Sequence, residues 1–89
     1  MLTLYKIWYV KHGSNWQPPA NSIYRREGNN LLCPMEELLS VLPSRITRDK
    51  VVSTDLTKLS EYVKYLNEMA DEDESYEIRK ESISLREDI

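Results

Sequence analysis

The chain has 89 residues, 40% of them apolar and 30% charged, the proportions of a globular domain rather than a disordered chain. A net charge of −3 and a pI of 5.1 stand far from the basic character of typical nucleic-acid-binding domains. One cysteine excludes an internal disulfide framework, and one cysteine with one histidine cannot close a zinc site.

The chain opens on its clearest strand, residues 2–11, "LTLYKIWYVK". Its alternating sets, Leu2, Leu4, Trp8, Val10 and Tyr5, Ile7, Tyr9, are both largely apolar, which predicts a central strand or one covered on both sides, by a partner subunit if not by this chain. This start lacks the basic region and long apolar run of a secretory signal, and no stretch nears the ~18–20 apolar residues that span a bilayer. The expectation is a soluble, cytoplasmic protein without membrane contact. Residues 12–22 read as a loop, with turn chemistry at Gly13, Ser14 and Asn15 and an extended Pro18-Pro19 pair. Trp16 inside it either folds back as a lid or stands out as a contact residue. Residues 22–26 form a short strand, 27–30 a turn in which Gly28 and Asn29 suit positive φ, and 31–33 the return strand of a hairpin.

Residues 34–42, "PMEELLSVL", show Met35, Leu38, Leu39 and Leu42 on one helical face. Pro34 suits the first helical position, and Pro43 ends the helix. Residues 44–52 read as a strand or a basic loop. The strongest helix runs from about 54 to 70: Leu56, Leu59, Val63, Leu66 and Ala70 follow 3-4-3-4 spacing, with Ser53 or Thr54 as cap and Asp55 in the first turn. The acids Asp71, Glu72, Asp73 and Glu74 oppose the helix dipole and place its end near Ala70. Residues 75–85 read as a strand rather than a helix, with a bulge needed to bring Ile78 and Ile83 to one face.

Chemistry-bearing residues are sparse. With Pro34 starting a helix, Cys33 is its N-cap, where the dipole lowers a thiol pKa, and His12 is the one available base. Glu36 and Glu37 oppose an anionic sulfur there, and Cys33 follows Leu31-Leu32, so a buried structural cysteine is the favoured reading. The acidic run lacks the length and central glycine of a calcium loop. Gly13 and Gly28 are too far apart for a phosphate-cradling loop. No metal or cofactor is expected.

Two surface readings remain. The protein-binding reading uses Trp16, Tyr62, Tyr65, Asp71, Glu72, Asp73 and Glu74. Tyr62, Tyr65 and Met69 lie beside the core stripe of the long helix, where they meet another chain or lean over the rim of their own sheet. The acids, with Glu77, Glu81, Glu87 and Asp88, would form a row of carboxylates able to occupy a basic groove, an action analogous to that of small viral or mobile-element inhibitors. The alternative is nucleic-acid binding, with Arg25, Arg26, Arg45, Arg48 and Lys50 on one face and Trp8, Trp16 or Tyr24 stacking on bases.

Charge is also uneven. Residues 1–50 hold seven bases against four acids, and residues 51–89 five against eleven. Folding either averages this contrast or leaves a dipolar surface. The sequence thus predicts a single α+β domain, residues 1–89. A small antiparallel sheet of three to four strands is covered on one face by one long and one short helix. The expected function is a non-enzymatic protein-binding module, an inhibitor or adaptor with a protein partner and capacity to homodimerise.

Overall fold

The computed structural model describes residues 2–40 and 46–83. Among these residues five strands form one antiparallel sheet: β1 (Leu2–Lys11), β2 (Arg25–Glu27), β3 (Asn30–Pro34), β4 (Val52–Ser53) and β5 (Glu74–Ile83). Two helices, α1 (Met35–Leu38) and α2 (Leu56–Met69), complete the α+β architecture. The apolar, β-branched and aromatic content of β1 places it at the centre. β5 pairs along its whole length, from Leu2 opposite Ile83 to Lys11 opposite Glu74. A strand has two edges, so β3 and β4 share the other, with β3 against Trp8–Lys11 and β4 against Tyr5 and Lys6.

Five strands replace the three or four expected. The hairpin contributes two short ones, joined by a tight turn in which Gly28 takes φ 61°. Its first strand begins at Arg25 rather than residue 22, because Ser22 instead accepts the Tyr24 N–H in a local turn. Within residues 44–52 a 3₁₀ turn, Arg48–Lys50, precedes the two-residue β4. The charges that break the alternation there leave room for little more strand.

Helix α1 is only four residues long where 34–42 was expected. Pro34 is the last strand residue, extended at φ −61° and ψ 132°, and caps the helix instead of starting it. Leu42, Pro43 and Arg45 lie outside the described residues. Helix α2 keeps nearly the expected span, but its cap is Asp55, whose side chain accepts the Lys58 N–H at 3.1 Å, not Ser53 or Thr54. Ser53 supports the cap by accepting the Asp55 N–H. β5 is a strand, as favoured, yet the expected bulge is absent: its register with β1 is unbroken through Ile83.

Cross-strand partners share a face. Tyr5, Ile7 and Tyr9 therefore lie beside Ile78 and Tyr76 on the face that takes α2. The buried core cluster is Ile7, Met35, Val51, Val52 and Leu59, with Tyr62, Val63 and Leu66 packed against it. Each fully buried Ile or Leu stabilises the fold by about 1.5–3 kcal/mol relative to exposure. The opposite face carries Lys6, Trp8 and Val10 with Leu32, Arg25, Glu77 and Arg79. No described helix is long and apolar enough to cross a membrane.

Candidate functional site

Helical spacing brings Tyr62, Tyr65 and Met69 to one flank of α2, beside the stripe that enters the core. The two tyrosine rings stack, centroids 6.1 Å apart and planes 17° from parallel. Tyr62 is half-buried, whereas Tyr65 is 53% and Met69 70% exposed. Lys50 places its Nζ 5.8 Å from the Tyr62 ring centre. Lys58 is paired to Asp49 at 3.2 Å. Lys50, Lys58, Glu61, Tyr62 and Tyr65 line an open cleft of about 240 Å³.

The acidic turn follows directly. Asp71, Asp73 and Glu74 bring their carboxylates within 4.8 Å of one another, the donor type and spacing a cation would need. Two of them are already engaged. Lys11 Nζ binds Asp73 and holds its carboxyl below the usual range, and the Tyr9 hydroxyl donates to Glu74. Burial, reinforced by that bond to Glu74, pushes the Tyr9 phenol well above its ordinary value. The backbone secures the turn through His12 N–H to the Asp73 carbonyl at 2.7 Å and Glu74 N–H to the Asp71 carbonyl at 3.1 Å. Asp71 and Glu72 are exposed, without an ion pair among the described residues.

Trp16 reaches this region from the other side. Its ring meets Tyr24 edge-on at 5.8 Å, Arg26 Nη1 donates to its carbonyl at 2.7 Å, and it remains 49% exposed. It is thus partly a lid and partly a contact residue. Trp16, Tyr24, Tyr9 and Lys11 share a cleft of about 270 Å³. Tyr9 in turn packs on Tyr76 at 5.7 Å, and the Tyr76 phenol, raised by burial and then by Glu74, also feels Tyr62. A row of aromatics therefore joins Trp16 to Tyr65, with the acidic turn along one side. Tyr9, Tyr76 and Lys11 carry no site reading from the sequence, and Tyr24 carries only that of a base-stacking residue. Tyr9 and Tyr76 share one signal, polar-edged aromatics on long strands, and it becomes a surface only after β1 and β5 pair.

The other predicted constellations disperse. Glu77 binds Arg79 at 2.6 Å and Glu81 binds Lys6 at 3.0 Å on the face opposite α2, so these acids do not extend a row from residues 71–74. Glu87 and Asp88 lie outside the described residues. Arg25 and Arg26, adjacent on β2, point to opposite faces, one over Trp8 and the other to the Trp16 carbonyl. Arg48 is paired with Glu36 at 2.7 Å, Lys50 faces Tyr62, and Arg45 is outside the described residues. The expected single basic face does not form among the described residues, because each cation has found a local acceptor or ring.

Trp8 is flanked by Arg25 from β2 at 5.5 Å and Arg79 from β5 at 5.3 Å, in the arrangement of cation–π contacts. Arg79 also holds Glu27 through two 2.9 Å bonds that span the sheet, from β5 across β1 and β3 to β2. On the same face Val10 and Leu32 are only 2% exposed.

Cys33 is not a helix cap. It sits buried inside β3 opposite Tyr9, its thiol donates to the Pro34 carbonyl at 3.4 Å, and burial, with a smaller push from Glu37, raises its pKa to about 11. His12 is exposed and shares a 2.8 Å hydrogen bond with Ser75 Oγ. Comparison of the chain with protein-family models, with curated proteins and with solved structures finds no match.

Proposed function

We propose that this chain is a non-enzymatic protein-binding module, an intracellular inhibitor or adaptor. Its contact surface comprises Trp16, the Tyr62–Tyr65–Met69 flank of α2 and the acidic turn Asp71–Glu74. The observation that carries this reading is the exposure of Tyr65 and Met69, at 53% and 70%, beside a stacked tyrosine partner at one end of an aromatic row. Large aromatics held in fixed positions contribute contact area at low entropic cost, and such residues dominate binding energy at interfaces. The acids Asp71 and Glu72 beside them favour a partner whose rim is basic. The protonated, buried Cys33 thiol supports a role without nucleophilic chemistry.

The test is association with a captured partner, comparing wild type with a Tyr65→Ala/Met69→Ser double variant. Both positions are exposed, so the thermal midpoint should hardly move while affinity falls at least tenfold, as expected for loss of an anchor worth above about 1.4 kcal/mol. Unchanged affinity in a folded double variant would remove this surface. The nucleic-acid alternative gains no support from the dispersed cations. Salt-sensitive retention on a duplex, reduced by Arg25→Ala or Arg48→Ala, would revive it.

A further inference from the structure

The Asn67 side chain on α2 treats the edge of β5 as a neighbouring strand would. Its Nδ2 donates to the Tyr76 carbonyl at 3.1 Å, and its Oδ1 accepts the Tyr76 N–H at 2.8 Å. Both backbone groups of Tyr76 therefore point away from β1. Outward and inward groups alternate along an antiparallel strand, so those of Ile78, Lys80 and Ser82 also point outward. Among the described residues, nothing pairs with β5 on that edge. A strand this long, with an edge unpaired among the described residues, is a ready template for another strand.

We propose that two copies of this chain associate through this edge, β5 against β5, antiparallel about a two-fold axis at Lys80, to form one continuous sheet. The choice of a second copy rests on charge complementarity. Only outward-facing residues can exchange bonds, which leaves few symmetric registers. An axis at Arg79 sets Arg79 against its own copy and Glu77 against Glu81, all like charges. An axis at Ile78 needs the Tyr76 groups that Asn67 already occupies. The axis at Lys80 uses the groups of Ile78, Lys80 and Ser82 and sets Arg79 opposite Glu81 twice. On each protomer Arg79 is bound to Glu27 and Glu77, and Glu81 to Lys6, so these pairs would join existing ion networks. The one unfavourable meeting is Lys80 against Lys80, an exposed pair that limits affinity and guards the edge against indiscriminate pairing. Asn67 marks where the shared ladder stops. This edge is distinct from the α2 flank, so either surface can fail without the other.

The experiment combines sedimentation velocity over a concentration series with amide hydrogen exchange. Wild type should self-associate, and protection at Ile78, Lys80 and Ser82 should fall on dilution. Lys80→Thr, which removes the like-charge meeting, should tighten association roughly fivefold, and Glu81→Lys, which makes both flanking pairs repulsive, should weaken it at least about tenfold. Thermal midpoints check that both variants remain folded. Monomeric behaviour of both wild type and Lys80→Thr at about 1 mM, a concentration at which even weak dimers populate, overturns the proposal. So does association that ignores Glu81→Lys, or that leaves the three amides unprotected.

Discussion

Cys33 shows how one residue's neighbours decide its chemistry. At a helix N-terminus the thiol would meet unsatisfied N–H groups and ionise more readily. One position of difference in where the helix begins places it inside β3 instead, where burial raises its pKa to about 11. A thiol reagent at neutral pH should therefore label native protein slowly and denatured protein at the rate of a free thiol. Fast native labelling, followed by mass spectrometry, would contradict the burial. Trp8 makes the same point on the other face. As a bare indole it would be a stacking platform, but Arg25 and Arg79 already flank its ring.

Among the elements, α2 is the most self-consistent. Its spacing, its cap and its stop at the acidic turn all agree with one helix. Asp55 satisfies a first-turn donor, and Asp55→Ala should lower stability by about 1 kcal/mol, read as a fall in the chemical-denaturation midpoint with unchanged slope. A negligible change would mean that Ser53 or water takes over the cap. α1 has no comparable support: it lacks a side-chain cap and basic residues in its last turn, and only Met35 is fully buried. β5 departs from expectation for a reason visible in its pairing. Its register with the ten residues of β1 runs unbroken, which leaves no place for a bulge.

On the scale of the whole molecule, folding interleaves the basic first half with the acidic second half. Lys11 meets Asp73, Lys6 meets Glu81, and Asp49 meets Lys58, so the charge contrast is locally compensated at these contacts. Lys11 holds Asp73 below its usual pKa, Arg79 holds Glu27, and Thr47 with Lys58 holds Asp49. Desolvation opposes ionisation of Glu36, but Lys6 and Arg48 prevail and hold it low too. A carboxylate with a depressed folded pKa binds protons more weakly than the unfolded chain does. Its stabilisation is therefore complete above the ordinary values, 4.5 for Glu and 3.8 for Asp, and is lost as pH falls below them. The thermal midpoint should stay flat between about pH 7 and 5 and decline beneath that. Glu36→Gln should lower the plateau and flatten the decline. A decline with the same slope in that variant would assign it to other acids.

The amino-acid order alone determined β1 and its central position, the Gly28 turn and nearly the whole of α2. Those features rest on signals carried by contiguous residues: a dense β-forming run, a turn glycine and a 3.6-residue period. The short strands, the cap at Asp55, the location of Cys33 and the dispersal of the arginines were settled by tertiary structure. A two- or three-residue strand has too few positions to show a period, and it exists because β1 offers an edge. The same holds for the aromatic row from Trp16 to Tyr65 and for Asn67 closing part of the β5 edge. Tyr9 and Tyr76, in the middle of that row, are distant in sequence, and only the pairing of the first strand with the last brings them within reach.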